Sequence, residues 1–542
     1  MLSPYGVLAA GPLPDTGAPT NQRPQVSTVG SVPVVNIVAP GSNGISHNKY
    51  ERFDVPTQGA VLNNSPTAAT STLAGALSGN PNLTTGSARV ILNEVTSNQP
   101  SSLLGQLEVA GQAARVVVAN PNGITCDGCG FINTPQVQLA AARPFFAGDK
   151  LRFELGAGRL DVGPLGLKAL ATRLDFIAGQ IATSGPIHSL SEINLIAGGS
   201  ASVGEGLDTR LNTPVWYTGD PFGPPVQSPP PPAIDIGQSV NAGSVRIVLD
   251  SQADRRIRIG AAIRASNDIL VASRGEISIE APLVAGQDIG IASRSGNLLL
   301  GAWSDSVSPS PLLDAGRDLQ LMSWLVSGNG QYLRAGRDAQ IGVEQAGQPG
   351  SYYAQADIGR IDAGRDVVLS SSEWNAPFFV GGITSAQDLK AGPLSFSILP
   401  GLQSTLGAAE QGDRFDRSAL IRATDWGTGP NYVFGRDIAV ALGGLNNLGV
   451  VTVGRDAVLS NYDASFGARL HTGRNFDLKL CDICSSYYME AGTGEIVADG
   501  DIILRSAPLR LPWGLSCSRF ACSVAAMPSL WQRVHSGWVR ST

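Results

Sequence analysis

A short phrase, Gly-Arg-Asp or Gly-Gln-Asp followed by an alternating run, returns through the second half of the chain and limits its fold more than any other feature. It reads AGQDIGIAS from Ala285, AGRDLQLMS from Ala315, AGRDAQIGV from Ala335 and AGRDVVLSS from Ala363. Looser copies follow: AQDLKAG from Ala386, GRDIAVAL from Gly435, GRDAVLSN from Gly454, GRNFDLKL from Gly473 and DGDIILRS from Asp499. The acidic position falls at Asp268, Asp288, Asp318, Asp338, Asp366, Asp388, Asp437 and Asp456. Several spacings are close to twenty residues, others near thirty, and the gap from Asp388 to Asp437 can hold a further copy.

A period near twenty with one short strand per copy is the signature of a solenoid. Gly at the head of each copy is expected to take a turn conformation that a Cβ would penalise. Asp is expected to bond its own turn backbone. The residues after it alternate apolar and polar, so one face points inward. A lone coil cannot bury that face, whereas stacked coils bury it together and pair their backbones along the axis. No 3.6-residue apolar period spans the copies. The expected fold is all-β, a right-handed parallel β-helix (β-solenoid); a propeller is the runner-up, but its blades need about forty residues and four strands. Arg beside each Asp is expected to form exposed ladders on one edge. Calcium ligation by these Asp would need a nine-residue Gly-Gly-x-Gly-x-Asp pattern, which is absent.

Composition agrees. The 542 residues include 65 Gly and 35 Pro, yet 43% are hydrophobic and only 15% charged, against a usual quarter charged. Such a chain has enough apolar residues to avoid disorder and suits short strands between Gly-rich turns. The net charge of −6 gives no basic footprint for nucleic acid. No apolar run is long enough for a transmembrane helix. The first thirty residues lack a basic n-region and a long apolar core, so either the protein is cytosolic or its signal peptide is removed or missing. Six Cys in three close pairs, Cys126/Cys129, Cys481/Cys484 and Cys517/Cys522, favour an oxidising compartment.

Composition divides the chain into an irregular lead (1–33), a region of strands and Asn/Gly/Pro turns (34–215), a Pro-rich linker or loop (216–236), the repeats (237–506) and a non-repeat tail (507–542). The tail either caps the last coil or is a truncation or frameshift product, the second being favoured because a solenoid that simply stops leaves an exposed edge.

The stretch VVVANPNGITCDGCGFINT (116–134) concentrates the candidate chemistry. A redox CxxC needs its first Cys at a helix N-terminus, and the strand-like FINT that follows offers none. A zinc site needs a second pair nearby, yet the other CxxC, Cys481/Cys484, is expected roughly 80 Å away along a stacked solenoid. Cys126 and Cys129 are therefore read as a local structural disulfide or thiol pair, with Cys481 and Cys484 as a second candidate pair. Pro121 and Asn122-Gly123 form a turn between strands, with a sibling at NPNL (80–83). The four His, at 47, 188, 471 and 535, show no metal-ligand spacing, and His47 is read as packing or turn-forming. No Gly-x-Ser-x-Gly elbow or P-loop appears, so no catalytic residue, metal or cofactor is assigned.

In order along the chain, GISHNKYERFDV (44–55), GAVLNNS (59–65), GNPNL (79–83), VILNEVTS (90–97), PSSLLGQLEVAG (100–111) and the 116–134 stretch resemble the secretion domain of TpsA-type two-partner secretion exoproteins, the filamentous haemagglutinin, haemolysin and contact-dependent inhibition group. Looser matches at 170–185 and 192–199 extend the resemblance over roughly residues 34 to 200, and the repeats beyond resemble the haemagglutinin repeat. The resemblance implies a secreted bacterial protein, with an N-terminal secretion-domain cap recognised in the periplasm by an outer-membrane barrel transporter with periplasmic receptor domains. The chain then crosses unfolded and folds outside as a β-helix. Asn80, Pro81, Asn82 and Leu83, with Asn120, Pro121, Asn122, Gly123 and Ile124, carry over as the secretion motifs. In that group the CxxC marks a haemolysin and inhibition subset. The family's extended signal peptide, very long repeat region and C-terminal effector are not legible here. The function implied is a secreted or surface adhesin that binds a host or neighbouring-cell receptor or glycan. The alternative is the N-terminal fragment of a contact-dependent inhibition toxin or pore-forming haemolysin. A β-helix polysaccharide lyase would need clustered carboxylates and Arg or Lys on one strand face, and no such cluster stands out.

Overall fold

The computed structural model describes residues 10–148, 150–169, 173–198, 202–203, 232–250, 255–294, 296–302, 304, 306–343, 355–371, 376–391, 399, 419–423, 431–441, 444–446, 449–461, 468–480 and 495–506. Cys481, Cys484, Cys517, Cys522, residues 216–231 of the Pro-rich segment and the tail 507–542 lie outside them. The chain is a parallel β-helix of two compact units that divide between Gly275 and Glu276.

In the first unit a coil is three strands. Arg115–Ala119, Ile124–Cys126 and Cys129–Ile132 form one coil. Each pairs in parallel with its counterpart in the coil before: Arg115–Ala119 with Val90–Val95, Ile124–Cys126 with Ser101–Leu103, and Cys129–Ile132 with Gln106–Gly111. Three stacks of strands thus enclose a core of Val, Ile and Leu, with Val116, Val118, Ile124, Leu139, Phe176 and Leu195 among its buried members. The β-branched and aliphatic side chains suit this lattice because each packs on a similar residue one strand away.

The expected irregular lead is structured from residue 10 on. Gln25–Val29 pairs antiparallel with Val32–Asn36, and Leu13–Pro14 with Ile45–Arg52. Of the Pro-rich segment, Pro232–Ile236 is a strand that pairs with Gln180–Thr183 and Arg256–Ile259.

The expectation of one inward face holds for two stacks and fails for the third. Gln136–Ala147 runs past its coil and returns as the antiparallel strand Lys150–Leu155. That strand lays Leu151, Phe153 and Leu155 in one cluster with Val117, Ala119, Ala140, Ile177 and Ile196. Where the hairpin lies, the broad stack is therefore buried on both sides, and its outer face there is apolar.

In the second unit Leu319–Ser323, Ala339–Val343 and Val367–Ser371 stack in parallel, each entered through a Gly-Arg-Asp corner. The Gly has a different role from the one expected. None of Gly316, Gly336, Gly364, Gly435, Gly454 or Gly473 has a positive φ. A Cβ on Gly336 would instead sit 2.1 Å from the Gly316 carbonyl oxygen, and one on Gly364 2.0 Å from that of Gly336. Gly is needed because the next corner stacks on bare backbone.

The Asp also differs. It bonds the following coil rather than its own turn. Asp288 Oδ1 accepts from the Asp318 amide (3.1 Å) and from Arg317 Nε (2.7 Å). Arg337 Nε donates to Asp318 (2.6 Å), Arg365 to Asp338 (2.7 Å), Arg436 to Asp388 (2.7 Å), Arg455 to Asp437 (3.0 Å) and Arg474 to Asp456 (2.8 Å). The second guanidinium nitrogen reaches the other carboxylate oxygen in each pair, giving a bidentate fork. The ladder predicted on one edge exists, but Asp288, Asp318, Asp338, Asp366 and Asp388 are buried, Asp437 and Asp456 half-buried, and the guanidinium groups are its more exposed parts.

Two irregular copies obey the same charge rule. Gln387 occupies the cation position, and Lys390 Nζ supplies the missing charge to Asp366 at 2.5 Å. Gly500 occupies it at the last described corner, and the residue below is Asn475 rather than Asp; its Oδ1 accepts the Asp501 amide at 2.9 Å.

Two expectations follow. Gly336→Ala should destabilise the chain by about 1–3 kcal/mol, measured by urea denaturation. The Arg455 guanidinium holds the Asp437 carboxyl below its ordinary value of 3.8, and Arg474 does the same for Asp456. Burial pushes Asp388 up, but Arg436, the Asp437 amide and Lys390 together outweigh it. Depressed folded-state values stabilise above the unfolded value and lose that contribution as pH falls through them. Tm should thus be flat down to roughly pH 5 and fall steeply below about pH 4; a melting profile without that acid limb would count against the ladder.

Candidate functional site

The two Asn-Pro-Asn turns are built alike. Asn80 ends inside the fold, 2% exposed. Its Nδ2 donates to the Ile37 and Asn63 carbonyls (both 2.9 Å), and its Oδ1 accepts the Asn82 amide at 3.0 Å. Asn82 Nδ2 reaches the Ile37 carbonyl at 3.2 Å, and the Leu83 amide closes the turn on the Asn80 carbonyl at 3.2 Å. Asn120, 0% exposed, repeats the plan. Its Nδ2 donates to the Gln99 carbonyl (2.9 Å) and Ser101 Oγ (3.0 Å), and its Oδ1 accepts the Asn122 amide at 3.0 Å. Asn122 Nδ2 reaches the Ser97 carbonyl at 2.8 Å.

In each turn the first Asn satisfies carbonyls of the preceding coil while its oxygen orders its own turn. A primary amide, with two N–H donors and an acceptor oxygen in one group, does both. Pro fixes the second position. Gly123 adopts φ 120°, a conformation that suits Gly. Leu83 and Ile124 are buried, whereas Pro81 and Asn122 are exposed and Asn82 and Pro121 half-buried. The structure thus gives Asn80, Asn82, Asn120 and Asn122 a role in holding coils, while Pro81 and Asn122 face outward.

Cys126 and Cys129 are joined by a disulfide. Cys126 ends the strand Ile124–Cys126 and Cys129 begins Cys129–Ile132, so neither stands at a helix N-terminus. Both are buried, which keeps them from partners in exchange. The turn between them docks on the next coil: Asp127 Oδ1 accepts the Leu165 amide at 2.7 Å and the Gly128 amide donates to the Gly166 carbonyl at 2.9 Å. Among the described residues no group of three or more His, Cys, Asp or Glu could hold a metal ion.

His47 joins three segments. Its Nε2 lies 2.6 Å from Glu94 Oε2 on the neighbouring coil, its Nδ1 3.2 Å from Gln22 Nε2 in the lead, and its ring 5.8 Å from that of Phe146 in the hairpin. Two holding residues carried no signal by themselves. Asn64 bridges the Ala88 carbonyl (2.9 Å) and the Gln112 carbonyl (2.8 Å). Buried Glu108 accepts from Ser71 Oγ (2.7 Å) and the Thr72 (2.7 Å) and Leu73 (2.9 Å) amides. Asn64 lies inside GAVLNNS, so its motif marked the position though not the role.

Residues 10–281 match the TPS secretion domain family. Among curated relatives, a hemolysin of Proteus mirabilis is 45% identical over 214 residues, covering 36% of this chain and 13% of that protein. A 16S rRNA endonuclease CdiA of Enterobacter cloacae subsp. cloacae is 31% identical over 374 residues, covering 65% of this chain and 11% of that protein. The chain therefore spans only about an eighth or a ninth of the length of these relatives. A crystal structure of filamentous hemagglutinin secretion domain is also similar, with a TM-score of 0.43 and 24% identity, over 69% of this chain and 99% of that one.

Asn120→Ala, which leaves the Gln99 carbonyl, Ser101 Oγ and the Asn122 amide without their partner, should cost about 1–3 kcal/mol, and the exposed Asn122→Ala about 0.5 kcal/mol. Cys126→Ser with Cys129→Ser should cost about 2 kcal/mol, since the closed loop is short. Equilibrium denaturation ranks the three; an Asn122 variant as damaging as Asn120→Ala would overturn the assignment of roles.

Proposed function

The chain belongs to the TPS (two-partner secretion) domain family of exported proteins, and from that premise we propose that it is the export end and first coils of a surface adhesin. The TPS domain belongs to exoproteins secreted or displayed through an outer-membrane transporter partner and is not itself an enzymatic domain. For this chain the proposed partner is a barrel with periplasmic receptor domains, and the proposed motifs are Asn80–Leu83 and Asn120–Ile124.

Burial of Asn80 and Asn120 carries this reading. A receptor cannot touch them once the coils have closed. Their side chains are open to a partner only while the chain is extended, so recognition precedes folding. After folding the same amides close the coils, and the coil-by-coil contacts let folding proceed from the N-terminal end. The ligand on the outside is proposed to be a cell-surface receptor or glycan.

A second reading has its own support. Similar curated proteins are named hemolysin and CdiA, and this chain carries the CxxC turn. In that reading it is the N-terminal part of a contact-dependent inhibition toxin or pore-forming haemolysin. Competition against neighbouring cells and lysis of erythrocytes, measured on the full-length product, separate the two readings from adhesion.

The export claim is tested by co-expressing the chain, given a signal peptide, with the adjacent barrel gene. Asn120→Asp with Asn122→Ala should reduce secreted protein by about tenfold or more, and unfolded chain should bind the receptor domains better than folded chain. Undiminished secretion of the double variant would sink the motif assignment.

A further inference from the structure

The broad stack of the first unit carries a cleft of about 210 Å³ on its outer face, lined by Glu192, Ser244, Val245, Arg246, Asp268 and Leu270. Register makes this cleft the end of a polar column. Gln138, Asp175, Asn194 and Arg246 occupy successive paired positions on Gln136–Ala147, Arg173–Ala178, Glu192–Ala197 and Ser244–Leu249.

Asp175, fully buried, accepts from Gln136 Nε2 (2.5 Å), Gln138 Nε2 (3.0 Å), Arg173 Nε (3.2 Å) and Asn194 Nδ2 (2.9 Å). Asn194 thus turns its NH₂ toward Asp175. Its Oδ1 then faces the Arg246 side, where it is buried with no partner. Arg246 is half-buried, and its Nε is likewise buried and unpaired. Among the described residues its guanidinium has no hydrogen-bond or ion-pair partner. Elsewhere along the solenoid the arginines of the corner ladder are matched to carboxylates. A desolvated cation without a partner is costly, and a ligand with acceptor oxygens removes that cost.

The neighbours select the ligand. Glu192, which also pairs with Arg173 at 3.4 Å, and Asp268 line the cleft with Arg246; their charge disfavours a dianion such as phosphate or sulfate more than a monocarboxylate, and as acceptors they bind hydroxyl groups. Ser244 adds a donor and acceptor between them. The volume lies below the roughly 300 Å³ of the smallest drug-sized pockets, which suits one sugar ring. We propose that this cleft binds a single acidic sugar residue, its carboxylate forked on Arg246 and its hydroxyls on Ser244, Glu192 and Asp268. This rests on the reading that the chain is displayed outside the cell.

The test is isothermal calorimetry and saturation-transfer NMR on the purified full chain with glucuronate, N-acetylneuraminate, glucose, acetate and inorganic phosphate. One of the two acidic sugars should bind about tenfold or more tighter than glucose, acetate or phosphate, and which one identifies a uronate or a nonulosonate source. Arg246→Ala and Arg246→Lys should each weaken it about tenfold or more, the Lys variant because it cannot fork; melting curves check the fold. Should Arg246→Ala not fold, Ser244→Ala must still weaken the sugar and leave acetate unchanged. Absence of sugar binding, acetate binding equal to the sugar, or unaltered binding by the Arg246 variants overturns the proposal. Export is scored separately, so failure of secretion overturns the display reading and leaves the sugar measurement standing.

Discussion

Each coil lies one strand spacing, about 4.8 Å, from the last, so every side chain in a corner has its counterpart almost in contact. Bulk and charge must both be tolerated at that distance. Gly336 and Gly364 answer the first demand by presenting no side chain to the carbonyl stacked against them. The Asp-Arg pair answers the second by an offset of one coil. Like charges that would repel in register are interleaved, because the cation of each coil is drawn to the carboxylate of the one before.

The repeat made the architecture legible before any coordinates. An alternating strand returning near every twenty residues without a helical period suits a solenoid better than the runner-up propeller, whose blades need about forty residues. The reasons for the repeat residues were less legible. A Gly in a turn signals positive φ and a buried approach equally well, and a single sequence does not separate them. The Asp-Arg offset joins positions some twenty residues apart, whereas turn rules describe neighbours. Likewise the apolar exterior of the broad stack came from the hairpin Gln136–Ala147 and Lys150–Leu155 folding back, a tertiary event.

The candidate turns divide in the same way. Asn-Pro-Asn identified itself as a turn through local chemistry, and the ordered series of motifs identified its family. That Asn80 and Asn120 face inward was not legible, since an Asn at a turn is ordinarily assumed to meet water. The inward placement follows from the flanking strands, Arg115–Ala119 and Ile124–Cys126, which leave the carbonyls of an earlier corner in need of donors. Arg246 escaped notice because an isolated arginine in a strand has no pattern; only the register beside Asn194 gave it meaning.

The offset in the corner ladder has a bearing on how such genes lengthen and shorten. Because a regular coil takes its carboxylate's partner from its successor, any regular coil can follow any other, and unequal crossing-over between copies leaves the charges matched. Lys390 travels with Gln387 in one coil and keeps the rule, whereas Asn475 with Gly500 breaks that interchangeability. A crossover that parted Asn475 from Gly500 would set an arginine above a neutral amide or a carboxylate beneath a glycine. Keeping the charges matched requires those two coils to stay together.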